Sequence, residues 1–235
     1  MSRHEDGLPA FSLKLTFDGP GEVAPALAEA FKTVMGPLIA AANGVVGADL
    51  MSPSADKPVF FDKEPPAPAL HVEIGTRTRA DAEAIISASE FRDAAAKLAS
   101  DHGCAVCCGL YQVAHSVLPG AKQAAARTAP TSFLVRYYGP TEDPADFADY
   151  YVAHHPPALS KFPNVRNVLC YLPLEVAMGD LTVCEVIIGN EVVFDDVASL
   201  NAAMQSGAMR EIKADSATFK PFGHSTHHAM VRAAL

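Results

Sequence analysis

The stretch 147–165, FADYYVAHHPPALSKFPNV, concentrates the side chains of this sequence that could carry acid–base chemistry. On a helix, Phe147, Tyr151 and His155 are spaced i, i+4, i+8 and fall on nearly one face. The imidazole of histidine titrates near physiological pH, which suits a general acid or base. We therefore take His155 as the candidate catalytic residue, with Tyr151 one turn earlier to orient the substrate or the imidazole.

Two prolines follow His155 directly. Neither Pro156 nor Pro157 can donate to the carbonyls one turn earlier, so the sequence predicts a kink that leaves the imidazole at a helix break. The other interpretation is a capping histidine on a surface kink. His154 lies about 100° further round the helix and should not point into the same pocket.

The elements that would position this helix occur twice. Residues 11–17 and 131–137 align at an offset of 120 residues, and each alternates apolar and polar side chains as a strand with one buried face does. The predicted buried faces are Leu13, Leu15 and Phe17, and Phe133, Val135 and Tyr137. A helix, two strands, a second helix (about 80–100 and 196–217) and a last strand (about 105–114 and 222–231) follow in each half.

The order β-α-β-β-α-β, found twice, predicts an α+β fold of two tandem ferredoxin-like units, residues 1–120 and 128–235. Each unit has a sheet with helices on one face only, so we expect the two sheets to pack against each other. Asp143 is a suitable N-cap for the helix that carries His155, with Pro144 at its first position. The proline-rich loop 52–69 is the main difference between the halves, and Phe60 and Phe61 suggest that it docks onto something.

Composition excludes several classes of function. The net charge is −9 without a basic stripe, which argues against nucleic acid and an anionic membrane surface. The N-terminus lacks the apolar core of a signal peptide, and we expect no membrane-spanning segment. Five irregularly spaced cysteines are typical of free thiols in a reducing compartment, with Cys104, Cys107 and Cys108 as core residues of a strand. We expect a soluble cytoplasmic protein.

Other polar residues have structural alternatives. Glu185 and its predicted counterpart Glu73 lie among apolar strand residues, where a carboxylate must be paired, hydrated or functional, and Arg136 is a possible buried partner. His224 and His228 should share one strand face, with His227 on the other. They lack an accompanying carboxylate at diagnostic spacing, so we predict no metal site.

The motif HHPPAL, between an aromatic-rich helix and the segment FPNVRNVLCYL, resembles the EthD family. Within that resemblance, His155, Pro157 and Tyr151 match the family's His, Pro and helix tyrosine, and Glu185 matches an acidic strand position. The clear resemblance covers about 132–231; in the first half, Met35 and Val34 stand where the motif has its two histidines. The resemblance implies a dimeric α+β barrel, here formed within one chain. It also implies activity on small hydrophobic or aromatic compounds, often without a cofactor. We take the substrate-binding candidates to be Phe147, Tyr150, Pro157, Glu185 and Tyr137.

Three classes of function remain open. The first is an enzyme that uses His155 in cofactor-independent acid–base chemistry on a small hydrophobic molecule. The second is a non-catalytic binding or accessory protein, and the third is a haem or metal protein, for which no axial-ligand motif is evident. A homodimer is possible but no interface signal supports it.

Overall fold

The structure is a computed structural model that describes residues 7–56, 58–59 and 64–235. The first half contains β1 (Phe11–Asp18), α1 (Ala24–Ala41), β2 (Val45–Pro53), β3 (Leu70–Thr76), α2 (Arg79–Ser87), α3 (Ser89–Asp101) and β4 (Ala105–His115). The second half contains β5 (Thr131–Tyr138), α4 (Pro144–Leu159), β6 (Asn167–Leu174), β7 (Thr182–Val183), β8 (Val186–Phe194), α5 (Val197–Met204), α6 (Ala208–Ser216) and β9 (His224–Ala234). The predicted second helix of each half is thus divided into two.

Eight strands close into an antiparallel barrel in the order β1-β3-β2-β9-β5-β8-β6-β4, with β4 returning to β1. The two halves join where β2 pairs with β9 and β4 pairs with β6. The sheets therefore meet edge to edge and do not simply face each other as predicted. Closure satisfies the backbone donors and acceptors that an open sheet edge would leave unpaired.

The helices cover the outside of the barrel, and alternation along each strand separates the two environments. The side chains predicted to be buried, from Leu13 to Phe17 and from Phe133 to Tyr137, face the helices in two apolar clusters, one for each half. The intervening residues point into the barrel. A strand position therefore decides whether a side chain belongs to the helix-facing layer or to the barrel interior.

Helix α4 begins as the sequence predicts. The Asp143 carboxylate accepts hydrogen bonds from the backbone N–H groups of Ala145 (3.0 Å) and Asp146 (3.1 Å). The predicted break after His155 is wrong, because the helix continues through both prolines to Leu159. The prolines lie in its last turn, and the Ser160 N–H and hydroxyl both donate to the Pro156 carbonyl there.

The third strand of the second half is β8, which begins one residue after Glu185. Glu185 is exposed between β7 and β8, and no described carboxylate pairs with Arg136. The residue that corresponds to Glu73 is Glu191, which is fully buried on β8. The predicted equivalence of Glu73 and Glu185 is therefore wrong. The sequence comparison matched the segment of Glu73 with the residues just before β8, whereas the strand pairing matches it with the middle of β8.

Cys107 and Cys184 form a disulfide that ties β4 to the segment between β7 and β8. The prediction that all five cysteines are thiols is wrong, because 77 residues of chain separate two positions that barrel closure brings together. Disulfides are rare in reducing compartments, so the cysteines no longer support a cytoplasmic location.

A thiol count tests this bond directly. We expect three reactive thiols, those of Cys104, Cys108 and Cys170, in the denatured, unreduced protein, and five after reduction. The measurement is a colorimetric thiol titration in guanidinium chloride with alkylation-quenched samples. Five thiols before reduction in protein purified without reductant would contradict the disulfide.

One helix, Gly21–Ala41, is long and apolar enough by composition alone to cross a membrane, with a mean hydropathy of 1.2, contrary to the expectation from sequence. In the structure, Leu27, Phe31, Met35 and Ile39 of this helix are buried in the cluster of the first half. The helix therefore packs one face against the first half of the barrel, while 28% of its most apolar stretch is buried.

The proline-rich loop lies partly against the second half. Glu64 accepts hydrogen bonds from the backbone N–H of His227 (3.1 Å) and pairs with its imidazole (2.9 Å). The Pro65 carbonyl accepts a bond of 3.0 Å from His228. Phe60 and Phe61, which suggested docking, lie outside the described residues.

Candidate functional site

The layer between α4 and the barrel in the second half contains an aromatic cluster. Tyr137 on β5 is 5.2 Å, centroid to centroid, from Tyr151 and 5.8 Å from Phe147. Phe219 and Phe222, after α6, complete the cluster at 6.0 and 5.1 Å from the Tyr137 ring. The helical spacing and strand alternation that nominated Tyr137, Phe147 and Tyr151 thus bring those three side chains together.

His155 lies at the inner end of this cluster and is 4% exposed. Its ring is 4.8 Å from Tyr151 and 5.0 Å from Phe219, and its Nδ1 is 2.6 Å from Oδ2 of Asp215 on α6. Burial lowers the pKa of His155, although the hydrogen bond and charge of Asp215 act in the opposite direction. The imidazole is therefore neutral at pH 7, a state in which Nδ1–H donates to Asp215.

That tautomer leaves the lone pair of Nε2 available as a base, and Nε2 makes no hydrogen bond to any described residue. A carboxylate that fixes the tautomer and orientation of a histidine is a recurrent arrangement for general-base catalysis. The geometry can thus support proton transfer at Nε2, provided that a substrate reaches it.

The same layer holds further polar groups. Burial raises the pKa of Tyr151 well above its usual value and that of Tyr137 to about 12, so both phenols stay protonated. Asn190 pairs in register with Val135 and Cys170, whose side chains face the helices, so its amide faces this layer as well. Its Oδ1 is buried and makes no hydrogen bond within the described chain. A polar ligand group in this layer would find an acceptor there.

A cavity of about 950 Å³ opens at the start of α4, where β6 and β8 separate beyond their last paired residues, Tyr171 and Gly189. We call it the α4 cavity. Its wall includes Ala145, Ala148 and Asp149 of α4, Leu172 and Leu174 of β6, Met178, and Glu185 with Val186 and Ile187. Most of this wall is apolar, with Asp149, Glu175 and Glu185 as its charged side chains on the second half.

The candidates therefore separate into two places. Glu185 borders the α4 cavity, whereas Tyr137, Phe147, Tyr151 and His155 lie in the packed layer and do not line it. Ala148, one turn before Tyr151, belongs to both. The cavity thus reaches the near edge of the layer that contains the buried histidine.

Two candidates have other partners. Tyr150 is half-buried, and its hydroxyl is 2.7 Å from the Thr218 hydroxyl. Pro157 is exposed. His154 is exposed and bonds through Nδ1 to the Tyr150 carbonyl (2.8 Å), so it does not point with His155 toward Asp215. Asp215 and Phe219 were missed, because only the packing of α6 on α4 brings them to His155.

The first half has no equivalent of this constellation. Met35 stands where the second half has His155, and it is fully buried among apolar side chains. Val34, at the position of His154, is exposed. The asymmetry predicted between the halves is present at these positions.

A second polar group lies inside the barrel, and sequence reasoning did not find it. Arg127, from the segment between β4 and β5, reaches Glu73 (2.9 Å) and Glu191 (2.6 Å) through Nη1 and Asp49 (3.1 Å) through Nη2. The Tyr171 hydroxyl is 2.5 Å from Glu191. This buried ion cluster closes one end of the barrel.

Lys14 extends the cluster toward the barrel centre. Its Nζ is 3.5 Å from Glu73 and 3.0 Å from the centroid of the Tyr171 ring. Burial lowers the pKa of Lys14 to about 8, against the opposing charges of Glu73 and Glu191.

The histidines of β9 take the faces that alternation predicts. His224 and His228 pair in register with Tyr138 and Leu134 on the interior side, while His227 faces outward and stacks on Phe133. Within residues 7–56, 58–59 and 64–235, no three His, Cys, Asp or Glu side chains are placed to hold a metal ion.

No family model and no curated protein matches this sequence. Among solved structures, an anthrone oxidase-like protein matches with a TM-score of 0.67 at 14% identity, over 98% of this chain and 94% of that one. A protein from Fusobacterium nucleatum, named as a monooxygenase, has a TM-score of 0.59 at 8% identity, over 97% and 94% of the two chains. An EthD-family protein from Bacillus halodurans matches 43% of this chain and 95% of its own, with a TM-score of 0.36 at 23% identity.

Identities this low show the fold alone, and the EthD match is too partial to show that family. The full-length neighbours and the closed eight-stranded barrel agree on the architecture. The chain has the dimeric α+β barrel fold, with both halves of the barrel supplied by one polypeptide.

Proposed function

We propose that this protein binds a small, mainly apolar or aromatic molecule in the α4 cavity and transforms it by acid–base chemistry. The observation that carries the proposal is the apolar cavity of about 950 Å³, which adjoins the layer that holds His155 and Asp215. Ligand sites are typically concave and mostly apolar, with a few convergent polar groups.

In the proposed chemistry, His155 accepts or returns a proton through Nε2 while Asp215 holds the imidazole through Nδ1. Tyr151, between the cavity edge and His155, positions the substrate or the imidazole. The substrate would need to displace aromatic side chains to reach Nε2, because His155 does not line the cavity. No cofactor is needed for this role.

Non-catalytic binding of the same kind of molecule is the second candidate. The position of His155 behind packed aromatic rings favours it. Anthrone, the aromatic compound in the name of one structural neighbour, is a suitable trial substrate. Exchange of the protons of its CH₂ group with solvent deuterium, which a general base accelerates without an oxidant, separates the two candidates.

The architecture supports a relation between the halves. We propose that residues 1–120 and 128–235 are tandem ferredoxin-like repeats and that the second is EthD-related through Tyr151, His155 and Pro157. Each half has the strand order fourth-first-third-second, which is that of the ferredoxin-like unit, β4-β1-β3-β2 and β9-β5-β8-β6. We propose a soluble protein; a cytoplasmic location would make the Cys107–Cys184 disulfide an exception to the usual reduced state of thiols in that compartment. Self-association into a homodimer is left open.

Filling the α4 cavity should abolish binding of a neutral aromatic ligand. Ala145 is exposed on the cavity wall, so Ala145→Trp inserts an indole without disturbing the core. We expect the affinity for N-phenyl-1-naphthylamine, measured by its fluorescence, to fall by ~10-fold or more, as loss of a buried aromatic contact predicts.

The matched control is Ala153→Trp, an exposed position on the same helix that does not line the cavity. It should bind the dye as the wild type does. Equal binding by Ala145→Trp and the wild type would place the dye elsewhere and remove the support for the proposed function.

A further inference from the structure

The end of the barrel opposite Arg127 holds a cation that no described acid neutralises. We call this end the barrel mouth; a cavity of about 490 Å³ occupies it, lined in part by Arg136, Tyr138, Thr226, His228 and Cys184. Arg136 comes from β5, and its register partners are Thr226 on β9 and Gly189 on β8.

The other interior cations each have a carboxylate. Arg127 and Lys14 pair with Glu73, and Arg232 pairs with Asp49 at 3.0 Å. Arg136 has no carboxylate within ion-pair distance among the described residues, and its Nη1 makes one long contact, 3.4 Å, to the Thr16 hydroxyl. Within the part of the chain that the structure describes, the barrel interior thus contains four cations but three carboxylates, Asp49, Glu73 and Glu191.

Polar atoms at the mouth are also without partners in the described chain. Arg136 Nε and the Thr226 hydroxyl are both buried and make no hydrogen bond there. Thr226 is 8% exposed and adjoins Arg136 across the β5–β9 ladder. Buried donors usually have partners, and two adjacent donors without one indicate a ligand position.

The electrostatic environment at the base of the mouth favours an anion. His71, which bonds to Thr16 at 2.9 Å, has a pKa well below its usual value, first because of burial and then because of the charges of Lys14 and Arg136. Lys14 and Arg136 thus place positive charge near His71, and the charge of Glu73 opposes them. Asp18 and Glu185 also line the mouth, but both are exposed on its rim, where solvent screens them.

We propose that the barrel mouth binds a small carboxylate, held by Arg136 and the Thr226 hydroxyl, with the body of the ligand lying along Tyr138 and Val186. Arginine presents parallel N–H donors that match the two oxygens of a carboxylate. The mouth shares six lining residues with the α4 cavity, namely Tyr138, Val183, Cys184, Glu185, Val186 and His224. Arg136, Thr226 and His228 line the mouth alone. The site goes beyond the proposed function, because it requires neither His155 nor an occupant of the α4 cavity.

The test is binding of benzoate and of benzamide, which has nearly the same shape without the charge, by isothermal titration at low ionic strength. Wild-type protein should bind benzoate at least ~10-fold more tightly than benzamide, since a charge-assisted pair is lost in the amide. Arg136→Gln should remove that preference, while Arg210→Gln, which makes the same charge change at an exposed position of α6, should keep it.

Thr226→Val is the second variant, and it tests the site even if Arg136→Gln does not fold. Valine removes the hydroxyl of Thr226 and keeps the shape of the side chain. It should weaken benzoate binding ~3-fold or more and leave benzamide unchanged. Equal affinity of the wild type for benzoate and benzamide, or benzoate binding that Arg136→Gln and Thr226→Val leave intact, would overturn the site. Neutral-dye binding in the α4 cavity is a separate readout, so failure of one proposal does not imply failure of the other.

Discussion

Arg127→Ala is expected to lower the free energy of unfolding by about 3–5 kcal/mol, the usual cost of leaving buried charges without their partner. Arg127 contacts Glu73, Glu191 and Asp49, and the side chains of the two glutamates are 1% and 0% exposed. Removing the guanidinium leaves the carboxylates in the barrel interior with Lys14 and Arg232 as their remaining ion-pair partners. Urea denaturation at pH 7 measures the loss.

Arg166→Ala is the matched control. Arg166 also forms a carboxylate pair, with Asp195, but both side chains are about half exposed, so its loss should cost far less stability than the loss of Arg127. Adding Glu191→Gln to Arg127→Ala removes one of the uncompensated charges and should recover part of the stability. If Arg127→Ala lowered the free energy of unfolding as little as Arg166→Ala does, the carboxylates of the cluster would be stabilised by water and not by Arg127.

The pH dependence of stability gives the same comparison a second readout. Burial alone would raise the pKa of Glu73, but the charges of Arg127 and Lys14 and hydrogen bonds from Arg127 and Tyr171 hold it well below its usual range. A depressed folded-state pKa contributes stability that is present above the unfolded value of about 4.3 and is lost as pH falls toward the folded value. In Arg127→Ala that depression shrinks, so the stability lost on acidification should be smaller than in the wild type, and the loss should end at higher pH.

Arg127 shows where sequence reasoning reaches its limit. The segment between β4 and β5 has the composition of an ordinary loop. Nothing in the spacing of its residues indicates that Arg127 binds carboxylates inside the barrel. Its partners lie 54 and 64 residues away along the chain and approach only when the barrel closes. Glu191 was missed for a related reason: choosing between it and Glu185 needs the strand register, which apolar content alone does not fix.

Local patterns were more informative. Strand alternation correctly grouped Leu13 with Leu15 and Phe133 with Val135 on one strand face each, and the Asp143 cap correctly started α4. The predicted helix break after His155 was wrong because both prolines lie in the last turn of α4. A proline pair at that position removes few backbone hydrogen bonds, so the helix can continue through it. Local rules succeed where neighbours along the chain decide the outcome.

His155→Gln should lower the turnover of the trial substrate by ~10²–10⁴-fold, the usual contribution of a positioned acid–base group. Glutamine keeps a donor for Asp215 and most of the imidazole volume but does not exchange protons near neutral pH. Binding of the neutral dye in the α4 cavity should be unchanged, because His155 does not line it. Steady-state kinetics beside a dye titration measures both.

His154→Gln is the internal control, since His154 is exposed and bonded to the Tyr150 carbonyl. It should retain full activity; equal losses in the two variants would mean that the geometry of α4, and not one imidazole, was being measured. Full activity in His155→Gln would exclude acid–base chemistry at this residue and leave binding as the function.

Asp215→Asn separates proton transfer from packing. Burial lowers the pKa of His155 and Asp215 opposes that lowering, so removing the carboxylate's charge should lower the pKa further. The imidazole then stays unprotonated to lower pH, and the acid limb of the rate profile should move toward lower pH while the maximum rate falls, because the amide no longer stabilises the imidazolium formed during proton transfer. A variant that lost rate with an unshifted acid limb would show that another group titrates in the reaction and that His155 only packs beside it.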